Sequence, residues 1–185
     1  MRIVGGALKG RTLHGPPKQA TRPTSDRVRE SIFNILLHGL PGFGLEGSRV
    51  LDLFAGTGAV GLEALSRGAR FCQFVEENPE ARAVIRRNAE ELGLIGKCKI
   101  WRRDATALGP CAPQPAFDLV IADPPYGKAL GEAAVAAVVD GGWMAPGGVL
   151  VLEESAKADV GLPPPLRLVD ERIYGDTKVM FLRAA

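Results

Sequence analysis

The sequence predicts a doubly wound α/β protein. It should hold a mostly parallel, seven-stranded sheet with helices on both faces, preceded by a short basic N-terminal hairpin or arm and one helix. Three observations predict it. From Arg49 onward, short apolar runs alternate with helical patterns, as parallel strands joined by crossover helices require. A glycine-rich turn, Gly56-Thr57-Gly58, follows the first apolar run. Acidic residues end or follow four successive runs, at the strand ends where such sheets gather their ligands.

In residues 2–13, Ile3-Val4, Gly5-Gly6, Leu8 and Leu13 suit a short hairpin or an extended arm, and Pro16, Pro17 and Pro23 break regular structure after it. A helix should follow, capped by Thr24 or Ser25, with Asp26 in its first turn and Val28, Ile32, Ile35 and Leu36 on one face. Gly39, Pro41, Gly42 and Gly44 end it. Residues 1–44 thus form an extension and 45–185 the main body, the whole being one compact unit, because 185 residues are too few for two comfortable domains.

In the body, the expected strands are 50–53, 71–76, 99–103, 117–122 and 149–153, and the expected helices are 59–67, one opened by Asn78-Pro79-Glu80, and 129–139. Residues 166–174 and 178–182 alternate like two closing strands around a Gly175-Asp176 turn. The loop after Asp104, Gly109–Pro115, lacks helix signals.

Composition narrows the function. No apolar run is long enough for a membrane span, and no export signal opens the chain, so a cytoplasmic protein is expected. Cys72, Cys98 and Cys111 are an odd number without paired spacing and read as reduced thiols, and with only His14 and His38 no metal site is expected. The net charge of +2 is unevenly spread: residues 1–30 carry +5 and the remainder −3. A basic segment on a mildly acidic body suggests a polyanion contact through the first thirty residues.

The chemistry-bearing acids are Asp52, Glu76, Asp104 and Asp123. Gly56, Gly58 and Gly61 also satisfy a dinucleotide fingerprint, so a nicotinamide or flavin enzyme is an alternative. A pyrophosphate at this turn would be repelled by Asp52, whereas the ammonium and sulfonium of S-adenosylmethionine would be attracted. Small Gly56 and Gly58 let the backbone approach such a ligand closely. Glu76, preferred over Glu77, could bind ribose hydroxyls in either reading. Asp104 could accept from an adenine amino group, or it could be a loop or cap carboxylate.

Asp123-Pro124-Pro125-Tyr126, directly after an apolar strand, is the decisive element. An exocyclic amine is a poor nucleophile because its lone pair is delocalised. Asp123 and the Pro124 carbonyl offer acceptors for its two hydrogens and favour the developing tetrahedral nitrogen. The prolines stiffen the turn, and Tyr126 offers a face for a flipped-out base. Catalysis would come from position and charge complementarity.

These residues resemble the Rossmann-like, class I S-adenosylmethionine-dependent methyltransferases. Arg2-Ile3-Val4-Gly5-Gly6, Lys9-Gly10-Arg11, Arg22–Glu30 and Phe33-Asn34 are further similar to the N-terminal part of the RsmD family of 16S rRNA guanine-N2 methyltransferases, a likeness covering essentially the whole chain. The resemblance implies methyl transfer by a monomer from S-adenosylmethionine to the N2 amine of a guanine in 16S rRNA, within the assembling or assembled small ribosomal subunit. It implies Asp123, Pro124, Pro125 and Tyr126 as catalytic residues. Asp52, Phe54, Ala55, Gly56, Thr57, Gly58 and Glu76 would bind cofactor, with Asp104 and Ala105 following less directly. Arg11, Arg22, Thr24, Arg27 and Arg29, with Tyr126, would face the RNA. Adenine N6 in DNA and a glutamine amide are alternative amines, since each needs the same two acceptors. A non-catalytic RNA-binding protein would need neither the loop nor the tetrapeptide.

Overall fold

The computed structural model describes residues 1–16 and 24–184. Its strands are β1 (Arg49–Leu53), β2 (Phe71–Val75), β3 (Cys98–Trp101), β4 (Phe117–Ala122), β5 (Met144–Ser155), β6 (Leu166–Tyr174) and β7 (Thr177–Ala184). They form one sheet in the order β3-β2-β1-β4-β5-β7-β6. β1 to β5 run parallel, and β7 inserts antiparallel between β5 and β6. From β1 the chain winds outward through β2 and β3, then returns to pair β4 against β1. The topological switch therefore lies between β1 and β4, and the loops leaving these two strands open a cleft there.

The helices are α1 (Asp26–His38), α2 (Ala59–Ser66), α3 (Pro79–Glu91) and α4 (Leu130–Asp140). Strand alternation sends Val50, Leu119, Ile121, Val149 and Val151 to the face covered by α1, α2 and α3, where Ile32, Phe33, Leu36, Leu62 and Ile85 are fully buried. Each such side chain contributes roughly 1.5–3 kcal/mol by leaving water. Leu51, Leu53, Val120 and Leu152 face the other way, against Ala134, Val135 and Val138 of α4. The crossover from β3 to β4 has no helix. Its loop covers the sheet instead, with Leu108 and Cys111 buried beside Trp143, whose indole N–H donates to the Gly109 carbonyl at 2.8 Å.

Most expected elements differ from the observed ones by a residue or two. β5 is the exception, beginning at Met144 rather than Val149, because Phe117 and Met144 pair ahead of a register shift that absorbs Pro146-Gly147-Gly148.

The first sixteen residues form a short hairpin: Ile3 N–H donates to Arg11 O at 2.9 Å, and Arg2 bridges Thr12. Ile3 and Leu13 enter the same core as the sheet. Gly6, at φ +77°, comes so close to the end of α2 that a Cβ would lie 2.0 Å from the Ser66 carbonyl oxygen. Ser25, not Thr24, caps α1 by accepting from Val28 N–H, which leaves the Thr24 hydroxyl free to point elsewhere.

The expectation that Arg29 contacts RNA is corrected here. Arg29 is fully buried, and its guanidinium spans Glu63 (Nε to Oε1, 3.1 Å), Asp26 (2.9 Å) and the backbone carbonyls of Thr24 and Arg2. Glu63 is itself buried on α2. Its Oε1 also accepts from Val4 N–H at 2.9 Å, and its Oε2 accepts from Gly5 N–H at 2.9 Å and Arg67 Nε at 2.8 Å. The sequence places Arg29 four positions before Phe33 on α1's inner face, and that face meets α2. The residue locks hairpin, α1 and α2 together.

Candidate active site

The cleft at the switch point opens into a cavity of about 650 Å³. One wall is the turn after β1. Phe54 there takes a left-handed conformation (φ 55°), as do Gly56 (φ 57°) and Gly58 (φ 78°), and α2 starts at Ala59. A non-glycine residue held in that region is strained, and such strain persists only where surrounding structure over-determines it. Glu76 does so: its Oε1 accepts from Gly56 N–H at 2.8 Å, and its Oε2 from Asn78 N–H at 3.0 Å. Asn78 in turn caps α3 by accepting from Glu80 and Ala81. Asp52 lies buried below the turn, accepting from Gly61 N–H at 3.1 Å. Burial pushes its carboxyl well above the usual range; the Gly61 bond opposes this, and Asp123 and Glu76 add to it.

The facing wall is the turn after β4. Pro124, Pro125 and Tyr126 line the cavity with Asp123. The Tyr126 hydroxyl meets Thr177 Oγ1 at 2.7 Å, and Tyr174, bonded to Ser31 at 2.5 Å, continues this wall from β6. At the floor, the Thr24 hydroxyl lies 3.1 Å from Asp123 Oδ2 and 3.2 Å from both carboxylate oxygens of Glu153, which ends the core of β5. Burial raises Asp123 to about 6, against the hydrogen bond from Thr24. Burial and the adjacent Asp123 push Glu153 well up.

The fold thus brings Phe54, Ala55, Gly56, Thr57 and Glu76 to one side of a single cavity, and Thr24, Asp123, Pro124, Pro125 and Tyr126 to the other. It does not bring Asp104 and Ala105 to that lining. Asp104 Oδ1 accepts from the Thr106 N–H and hydroxyl, which holds its carboxyl below the usual range, and Ala105 is buried in the second core cluster. Arg27 is exposed on α1, and the exposed Arg11 donates to the Glu91 carbonyl at 2.8 Å; neither lines the cavity. Arg22 lies outside the described residues. Trp143 is core: Phe117 stacks on it, Trp101 meets it edge-on, and it has zero exposure.

Sequence reasoning missed Glu153. The signal was present, because Glu153 ends an apolar strand just as Asp52 and Glu76 do. What was absent was any way to know that Thr24, 129 positions away, would sit against it.

Three acidic side chains, Glu76, Asp123 and Glu153, line one cavity, and Asp52 lies buried beneath its glycine turn. That arrangement opposes a pyrophosphate and suits a cation. The Gly56 backbone lies open to the cavity, with nothing within 4 Å of where a Cβ would be. Sheet order and cleft together define the class: a Rossmann-like methyltransferase.

The comparisons carry this to a family. The model of the family described as "Conserved hypothetical protein 95" matches residues 1–183. "Putative rRNA methyltransferase YlbH" of Bacillus subtilis is 41% identical over 128 residues, covering 68% of this chain and 67% of its own. "Ribosomal RNA small subunit methyltransferase D" of Escherichia coli is 34% identical over 165 residues, covering 88% and 78%. Among solved structures, "Putative methyltransferase yhhF" from Escherichia coli superposes with a TM-score of 0.84 at 29% identity, covering 100% of this chain and 98% of the other. The chain belongs to this family, the RsmD family.

Proposed function

We propose that the protein transfers a methyl group from S-adenosylmethionine to the exocyclic N2 amine of a guanine in 16S rRNA, acting as a cytoplasmic monomer on the small ribosomal subunit. The single observation carrying this is the Asp123–Tyr126 turn facing the glycine turn across one acidic cavity.

Phe54, Ala55, Gly56, Thr57 and Glu76 would hold the cofactor, with Gly58 shaping the turn and Asp52 fixed beneath it through Gly61 N–H. The bound cofactor supplies a methyl group on a sulfonium; its transfer forms an N–C bond, breaks a C–S bond, leaves the electron pair on sulfur and obliges the amine to release one proton. The chain's own residues do the rest. Asp123 accepts one amine hydrogen and the Pro124 carbonyl the other, holding the nitrogen lone pair towards the methyl group. The ring of Tyr126 stacks on the base, worth roughly 1–3 kcal/mol. Residues 1–44 form the RNA-contacting part, with Arg11, Arg22 and Arg27 towards phosphates. Asp104, three residues beyond the end of β3, would accept from the adenine amino group.

The test uses small subunits from cells lacking the gene, incubated with pure protein and methyl-labelled S-adenosylmethionine, with the modified nucleoside identified by mass spectrometry. N2-methylguanosine at a single site is the expected product. Label on DNA adenine or a protein amide, with none in rRNA, would overturn the substrate assignment.

A further inference from the structure

One hydroxyl at the cavity floor faces too many acceptors. Thr24 Oγ1 lies 3.1 Å from Asp123 Oδ2, 3.2 Å from Glu153 Oε1 and 3.2 Å from Glu153 Oε2. A hydroxyl carries one hydrogen and two lone pairs. Were both carboxyls ionised, one hydrogen would serve three anionic oxygens, and the Thr24 lone pairs would point at negative charge in a site withdrawn from water. One shared proton satisfies every atom: the carboxyl that carries it donates to Thr24, and Thr24 donates its own hydrogen to the other, charged carboxyl.

We propose that Glu153 is a positioning residue for methyl transfer: its protonated carboxyl, relayed through the Thr24 hydroxyl, keeps Asp123 charged and aimed at the acceptor amine. The proposal deepens the amino-methyltransferase reading and rests on it for the kinetic part of its test.

The surroundings agree. Glu153 is 3% exposed and lies near the end of β5, opposite Val179 of β7. The groups facing it are Asp123 after β4, Asp52 from β1 and the Thr24 hydroxyl before α1, with Tyr174 on the same cavity wall. Glu154 lies against Gly131 of α4, from where its charge also raises Asp123. Among the described residues the nearby cations are engaged elsewhere: Arg29 with Glu63 and Asp26, and Lys178 with Glu171 and the Ala158 carbonyl. With no counter-ion among the described residues, two adjacent carboxyls share one proton, because like charges at this range do not both form readily. Burial raises both carboxyls, and an amine acceptor at Asp123 needs its charge, so we place the shared proton on Glu153.

The division of labour has kinetic consequences. Asp123 must be charged, so activity is lost as pH falls through about 6. Glu153 must be neutral, so activity is lost again when alkali removes its proton. Glu153→Gln supplies an amide N–H in place of the carboxyl hydrogen but cannot ionise. Glu153→Ala supplies nothing.

Two measurements test this. In pH profiles of single-turnover methylation, Glu153→Gln should retain kcat within about threefold at neutral pH and lose the alkaline limb. Glu153→Ala should lose roughly 10–100-fold in kcat, as for a hydrogen bond to a charged group, with KM for RNA little changed. Independently of activity, infrared difference spectra of the ligand-free protein at pH 7 should show a protonated-carboxyl band that Glu153→Gln lacks. Loss of an ionised-carboxylate band instead, or an alkaline limb that survives in Glu153→Gln, overturns the proposal. If the wild type methylates no RNA, the reading of function falls, and the infrared result still decides the proton.

Discussion

Replacing Glu63 by Gln should destabilise the protein severely, although it exchanges a single oxygen for an NH2 group. Each oxygen of the Glu63 carboxylate accepts two donors: Val4 N–H and Arg29 Nε at Oε1, Gly5 N–H and Arg67 Nε at Oε2. Whichever way a glutamine amide is turned, its NH2 faces two N–H donors. The substitution therefore leaves unsatisfied donors and removes the charge opposite Arg29, which has no exposed surface. Breaking a buried ion pair by removing one partner costs about 3–5 kcal/mol. At about 2–4 °C per kcal/mol for a chain of this size, the midpoint of thermal unfolding should fall by roughly 6–20 °C. Circular dichroism melts of wild type and Glu63→Gln measure it. The double variant Glu63→Leu, Arg29→Met should recover part of the loss, because apolar replacement removes the uncompensated charge as well. A midpoint within about 2 °C of wild type for Glu63→Gln would refute the argument that one carboxylate clasps hairpin, α1 and α2.

Three other outcomes are expected. In RNA binding at varied salt, Arg27→Ala should reduce the slope of log K against log salt by roughly 0.7–0.9, whereas Arg29→Met should leave the slope unchanged, since a buried guanidinium releases no counter-ion; a reduced slope for Arg29→Met would put it on the RNA after all. Asp123→Asn should abolish methylation yet raise ligand-free stability at neutral pH. The Asp123 carboxyl is raised to about 6 from an ordinary 3.8, so ionising it in the folded state opposes folding as pH climbs through that window. The gain, up to about 3 kcal/mol above pH 6, should vanish near pH 4, and melts across pH check it. Gly61→Ala should cost about 1–3 kcal/mol in denaturant unfolding, because its Cβ would lie 2.5 Å from Phe74 Cε1 and 2.6 Å from Cys72 Sγ.

Some of this protein is written in local pattern. β6 spans the residues its alternation predicts, and Asn78-Pro79 opens α3, because pleat, cap and proline preferences act within a few residues of themselves. The glycine turn and the Asp123–Tyr126 turn were legible for the same reason, as was the absence of a helix after Asp104. Arg29 was not. Its spacing on α1 fits a solvated charge as well as a buried one, and only α2 packing over it, with Glu63 supplied from another helix, makes burial tolerable. Ser25 and Thr24 were equivalent caps in sequence; the helix took Ser25, and that choice released Thr24 to Asp123 and Glu153. Asp104 carries the same strand-end signature as Asp52, yet its carboxylate turns back onto Thr106.

The sequence by itself determined the strands, their alternation with helices and the two turns that define the cleft, since these follow from periodicity and backbone preference over short spans. The tertiary structure alone decided which acids share the cavity, which basic residue is buried and where the Thr24 hydroxyl points. Those depend on side chains far apart in sequence meeting in space, and no local pattern carries the distance between them.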